Sequence, residues 1–362
     1  MRRIRAAVCH EFGAPLAVEE VGLRAPGPGE VEVALEAVAV CHSDISYADG
    51  AWGGDLPAVY GHEAAGRIAA VGPGVTGWSE GQAAIVTLIR ACGVCGTCGG
   101  GAPVYCATDL GLAPPLSTVA GGPVKAAMAC GAFAERVVVH ASQLAAIPDE
   151  MPMEAACLLS CGVITGVGAA VNTARVRPGE VVVVIGAGGV GLNAIQGARI
   201  AGAARIVAVD LSAEKLEAAR AFGATDGVLA TEAKPWRAVQ AATGGRLADA
   251  VFVTVGAIPA YEVAPRYLAP QGRVVMVGMP HSGAMAAYEP VVLAALGQGM
   301  VGSKMGDVVL ARDIPWMIDL WRQGRLKLEE LVSGRWPLER INEAIADTRA
   351  GTARRNVIVF DR

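Results

Sequence analysis

Residues 181–210 constrain this chain more than any other stretch. They read VVVVIGAGGVGLNAIQGARIAGAARIVAVD. The apolar run Val181–Ile185 is short enough for a strand buried on both faces. Gly186, Gly188 and Gly191 then form G-x-G-x-x-G, with Gly189 and Val190 between them. Apolar residues at Val190, Ala194, Ala198 and Ala201 recur at helical spacing, and a second strand at 206–209 ends in Asp210. Strand, glycine turn, helix, strand and acid make a dinucleotide-binding unit rather than an ordinary turn of a parallel α/β sheet. Gly186 permits the tight turn, Gly188 lets backbone approach a pyrophosphate, and Gly191 lets the helix lie close to the strand. The helix N-terminus offers free N–H groups to the phosphates. Asp210 stands at the ~20-residue distance expected of the acid that binds the adenosine ribose. A 2′-phosphate there would meet a like charge, so NAD is expected rather than NADP.

The rest of the chain must supply what that unit lacks. At 362 residues there is room for about two domains of ~150 residues. A net charge of −4 gives no general pull toward nucleic acid, and no apolar run approaches the ~18 residues of a membrane helix. The basic start MRRIRAAVCHEF has too short an apolar stretch for a signal peptide, so the expectation is a soluble cytoplasmic enzyme without a membrane or nucleic-acid partner. Nine cysteines, four of them crowded between 92 and 106, point to metal or redox chemistry rather than a disulfide scaffold.

Residues 1–40 read as short antiparallel strands with a turn at Pro26-Gly27-Pro28-Gly29. Cys41-His42-Ser43-Asp44 follows, and Gly61-His62-Glu63-Ala64-Ala65-Gly66 leads into another strand. Cys41 and His62 are possible zinc ligands, with Asp44 and Glu63 as carboxylates behind them. Each alone could equally be a buried thiol or a loop histidine. Cys92, Cys95, Cys98 and Cys106 give C-x2-C-x2-C-x7-C in a glycine-rich loop. That spacing suits a closed, structural four-cysteine zinc site, with an iron–sulfur cluster as the rival. No Lys or Arg lies between 91 and 107, which argues against a nucleic-acid-binding ribbon. Residues 107–127 read as loop and 133–139 as a strand. Cys161 sits where a helix is interrupted, near a helix start that favours a thiolate. Further strands are expected at 249–253, 273–277 and 300–303 and helices at 214–221, 312–323 and 338–349. A last strand at 357–360 should return to the first domain.

In this order the pieces strongly resemble the zinc-containing medium-chain alcohol dehydrogenases along essentially the whole chain. Gly61-His62-Glu63-x-x-Gly66, the four-cysteine lobe and GAGGVG at 186–191 carry the likeness. The resemblance implies an α/β protein with a GroES-like β-rich catalytic domain at 1–162 and 305–362. A Rossmann doubly wound parallel sheet would span 163–304, with the active site in the cleft between. It implies two zinc ions per chain, the catalytic one held by Cys41, His62 and Cys161. Hydride would pass between an alcohol or aldehyde and NAD, with zinc polarising the substrate oxygen. Ser43 would relay the alcohol proton, Asp44 would hold His62, and Glu63 would lie behind the metal. Lys215 would reach the adenosine ribose. His42 and Arg355 would face the pyrophosphate, His42 binding more tightly as pH falls through its titration. Ser46 departs from relatives that end the proton relay in a histidine.

The resemblance also implies a dimer, or a tetramer of dimers, joined at the edge strand 300–303. Trp52, Leu88, Ala127, Met128 and Met279 would line an apolar pocket for a bulky primary alcohol, aromatic or medium-chain. Retained zinc ligands oppose a zinc-free quinone reductase. A thiol-adduct formaldehyde dehydrogenase or a secondary-alcohol dehydrogenase of the same family stays open.

Overall fold

The computed structural model describes residues 1–360. The chain forms two compact units, one of residues 1–161 with 309–360 and one of residues 162–308.

The second unit is a six-stranded parallel sheet. Its order is Asp226–Leu229, Arg205–Asp210, Val181–Ile185, Ala248–Val253, Leu268–Met276 and Gly299–Gly302. Numbered along the chain this is 3-2-1-4-5-6, the Rossmann order. All five residues of Val181–Ile185 are buried, as a central strand covered on both faces requires. Gly299–Gly302 lies at the sheet edge as expected, and three of its residues, Gly299, Val301 and Gly302, are exposed. One strand, Asp226–Leu229, escaped the sequence reading. Its residues DGVL hold no apolar run, and it forms because the edge beside Arg205–Asp210 is there to pair with. Leu268–Met276 starts five residues before the expected 273. Pro270-Gln271-Gly272 does turn the chain, with Gln271 at φ 64, but inside a strand whose register shifts there.

In the first unit Arg2–Cys9, Ala17–Leu23, Leu116–Thr118, Pro123–Ala126 and Ala58–Val59 close a barrel. A second, seven-stranded sheet is centred on Glu30–Ala39. The tail returns as expected: Arg355–Val359 runs antiparallel to Glu30–Ala39, placing Ile358 opposite Val38. This is the GroES-like architecture. The hairpin Leu116–Thr118 and Pro123–Ala126 corrects the reading of 107–127 as loop. Its strands have three and four residues, too short to show a period, and barrel neighbours set their pairing. The strand expected at 133–139 begins its ladder only at Arg136. Phe133 N instead donates to Tyr60 O at 2.8 Å, and Ala7 N to Phe133 O at 2.8 Å.

Among the described residues no single helix is long and apolar enough to cross a membrane.

Candidate metal centres and cofactor turn

Three backbone segments of the first unit bring Cys41, His62 and Cys161 together. Cys41 caps the helix His42–Ala48 just beyond Glu30–Ala39, His62 precedes Glu63–Val71, and Cys161 ends the short helical turn Cys157–Ser160. With Glu63, their ligand atoms lie within 4.8 Å of one another, and all four residues are buried. Asp44 locks two of these segments. Its Oδ2 accepts from Cys41 N at 3.1 Å, and its Oδ1 accepts from Gly61 N and His62 Nδ1, each at 2.9 Å. Gly61 has φ +90, and a Cβ there would come within 2.5 Å of Phe133 N, so only glycine allows this approach.

The bond from Nδ1 to Asp44 fixes the ring so that Nε2 carries the free lone pair. That atom is buried without a hydrogen-bond partner. A buried, unpaired imidazole nitrogen facing two cysteine sulfurs is the donor set a metal satisfies, and Cys2His with an open position is a catalytic zinc set. The Cys161 hydrogen bond holds Cys41 well below the usual thiol range, and the same bond raises Cys161 well above it. Burial works against charge on His62, but the Asp44 carboxylate raises it well above its ordinary value. Burial pushes Glu63 up to about 7, against the pull of Arg355.

Arg355, expected on the pyrophosphate, is buried: only 5% of it is exposed, and its guanidinium pairs with the Glu63 carboxylate. The strand Arg355–Val359 is covered on both sides, and a buried guanidinium needs a carboxylate to offset its desolvation. Its neighbour Arg354 donates instead to Glu330 O at 3.0 Å.

The second cluster needs only local chain. Cys92, Cys95, Cys98 and Cys106 bring their sulfurs within 4.8 Å of one another. Cys92 and Cys98 are 4.0 Å apart and Cys95 and Cys106 3.8 Å. Tetrahedral zinc with Zn–S of ~2.3 Å puts its sulfurs about 3.8 Å apart. Such sulfurs enclose one ion and leave no room for several irons. Cys92 N donates to Cys106 Sγ and Cys95 N to Cys92 Sγ, both at 3.3 Å, which favours thiolates. The Thr97 hydroxyl helps hold Cys95 down to about 5, while desolvation pushes Cys98 up to about 12.

In the second unit the glycine turn is open where a phosphate would lie. Gly186 turns at φ +97, and a Cβ on Gly191 would come within 1.8 Å of Gly186 O. A Cβ on Gly188 would meet nothing within 4 Å, so this face is free for a ligand. Gly188 caps the helix Gly189–Ile200, which starts with Gly189 and Val190. Asp210 also braces the turn: Oδ2 accepts from Ala187 N at 2.7 Å and Oδ1 from Ser212 N at 3.0 Å. A carboxylate has about four lone-pair sites, which leaves capacity for ribose hydroxyls. Lys215 N donates to Ser212 Oγ at 3.3 Å, in the first turn of the helix Ala213–Phe222.

The remaining candidates are less gathered. His42 is exposed at the start of His42–Ala48, with Ser43 and Ser46 half-buried behind it. Trp52 meets the Tyr47 ring edge-on at 4.9 Å. Leu88 and Met128 pack on the barrel core, and Met279, in the other unit, is 62% exposed.

Two family profiles match, the alcohol dehydrogenase GroES-like domain over residues 27–149 and the zinc-binding dehydrogenase over 189–323. The chain is 35% identical over 367 residues to the NDMA-dependent alcohol dehydrogenase of Amycolatopsis methanolica, covering 99% of each. It is also similar to an alcohol dehydrogenase zinc-binding domain protein of Burkholderia ambifaria, with TM-score 0.95, 34% identity and all of both chains covered. Benzyl alcohol dehydrogenase of Acinetobacter calcoaceticus gives TM-score 0.93 and 29% identity, again over all of both chains.

Proposed function

Because the chain belongs to the zinc-dependent medium-chain dehydrogenase/reductase alcohol dehydrogenases, we propose that it interconverts a bulky primary alcohol and its aldehyde. The dependence on zinc and NAD follows from membership and from the two donor sets. The convergence of Cys41, His62 and Cys161, with His62 Nε2 left without a partner, carries the catalytic reading. Similarity to a benzyl alcohol dehydrogenase supports an aromatic or medium-chain substrate.

Zinc at Cys41, His62 and Cys161 supplies a Lewis acid for the substrate oxygen, and NAD supplies the hydride acceptor. Asp44 fixes the His62 ring, and Glu63 with Arg355 forms the charged backing of the set. Ser43 Oγ accepts the alcohol proton and passes it outward. Cys92, Cys95, Cys98 and Cys106 hold a second, structural zinc. Gly186, Gly188, Gly189, Val190 and Gly191 receive the pyrophosphate, and Asp210 and Lys215 take the adenosine ribose. Trp52, Leu88 and Met128 contact the substrate.

A screen of NAD reduction across benzylic, straight-chain, secondary and thiol-adduct alcohols tests this. The highest kcat/KM is expected with benzylic or medium-chain primary alcohols. A secondary alcohol or a glutathione adduct at the top would overturn the substrate class.

Ser46 should limit proton exit. Its hydroxyl relays a proton but cannot store one near neutrality. Alcohol oxidation should therefore rise toward alkaline pH, and Ser46→His should raise the neutral-pH rate about 3–10-fold and flatten the profile. Superimposed kcat–pH profiles, with a deuterium effect showing that hydride transfer limits both proteins, would exclude this role.

We also infer a cytoplasmic homodimer or homotetramer. Val301 on the edge strand is exposed, as are Met285, Tyr288, Val291 and Val292 on the segment before it. Unpaired strand edges flanked by apolar side chains invite pairing with a second copy. Sedimentation at micromolar concentration should give at least twice the chain mass; a monomer would refute this.

A further inference from the structure

Gln143 is fully buried but belongs to neither metal cluster nor to the cofactor turn. It ends the turn Ala141–Gln143, between the strands Arg136–His140 and Leu144–Ala146. Its Nε2 donates to Thr87 O and Ala129 O, both at 3.0 Å, and its Oε1 accepts from His140 N at 3.3 Å. Both amide hydrogens thus go to main-chain carbonyls of segments far apart in sequence.

Each carbonyl sits one residue from a side chain placed against substrate. Thr87 precedes Leu88, and Ala129 follows Met128. Met128 and Ala129 have φ 49 and 58, left-handed values that residues with a Cβ adopt uncommonly. Two such residues in succession persist only where surrounding bonds hold them. The same segment continues onto the metal site, where Ala132 N donates to Gly61 O at 2.9 Å, next to His62. A shift of Ala129 would therefore move Met128 relative to the ligand segment.

We infer that Gln143 is a positioning residue that sets substrate selectivity. One buried amide clamps Thr87 to Ala129 and so fixes Leu88 and Met128 as the two walls a bulky alcohol rests against. This rests on the reading that Leu88 and Met128 line the substrate pocket.

The test is Gln143→Met, which keeps length and volume but removes the donors. The ratio of kcat/KM for benzyl alcohol over ethanol should fall about tenfold, with the loss in the KM for benzyl alcohol. Amide exchange at Cys130 and Gly131, whose N–H groups bond Ala127 O at 3.0 and 3.1 Å, should accelerate. Adding Ala129→Gly should restore both readouts, because glycine takes the left-handed turn without a clamp. If Gln143→Met does not fold, Gln143→Leu, which also lacks the donors, gives the same comparison. Unchanged exchange and an unchanged ratio in a folded variant would overturn the clamp.

Met128→Ala and Leu88→Ala separate the two ideas. If they shift the benzyl preference and Gln143→Met does not, the pocket reading stands and the clamp fails. If Gln143→Met speeds exchange while neither wall variant alters the preference, the pocket reading fails, and the selectivity role of Gln143 falls with it.

Discussion

Replacing Cys161 by serine should remove one of two zinc ions per chain and lower kcat/KM by at least ~10³-fold. The fold should survive, because serine nearly matches cysteine in shape and Asp44 still ties Cys41 N, Gly61 N and His62 Nδ1. The loss has a simple origin. Catalysis by a Lewis acid is worth several kcal/mol, and a two-ligand remnant of Cys41 and His62 holds the ion too weakly to supply it. Cys95→Ser should behave in the opposite way. Its sulfur helps close the four-cysteine loop, whose backbone turns have little apolar core of their own, so melting temperature and solubility should fall before catalysis does. Elemental analysis, melting curves and steady-state rates on the two variants distinguish the sites. Full activity of Cys161→Ser with two zinc ions per chain would overturn the ligand assignment. Iron with inorganic sulfide in the native protein would overturn the structural zinc.

Asp210→Gly should lower kcat/KM for NAD about 10–100-fold and relax the rejection of NADP. A hydrogen bond to a charged group contributes roughly 1.5–3 kcal/mol, which corresponds to that range. Deleting the acid also removes the like charge that a 2′-phosphate would meet. A second consequence comes from the fold. Asp210 accepts from Ala187 N inside the glycine turn and from Ser212 N at the next helix, so its loss leaves both N–H groups without that acceptor. The variant should therefore unfold at lower urea concentration as well as bind NAD less well. Initial rates with both cofactors and a urea titration measure the two effects. A wild-type protein with higher kcat/KM for NADP would show that this acid does not select the cofactor.

The parts legible in the sequence are those whose physics is local. Residues 181–210 announce a strand, turn and helix because the glycine spacing, apolar run and closing acid lie within one continuous stretch. The four-cysteine lobe is legible for the same reason, since its ligands span fifteen residues, Cys92 to Cys106. Cys41 and His62 are only possible ligands by themselves, and family likeness joins Cys161 to them before the fold brings the three together. Other features exist only in the tertiary structure. Glu63 and Arg355 are 292 residues apart, and Arg355 turns inward because its strand joins a sheet covered on both sides. Gln143 carries no local signal, since its partners Thr87 and Ala129 belong to other segments. The hairpin at 116–126 and the strand Asp226–Leu229 form because neighbouring strands offer unpaired N–H and C=O groups. Periodicity and turn chemistry are set by bonds within a few residues, whereas a buried charge or amide takes whichever partner the folded chain brings within reach.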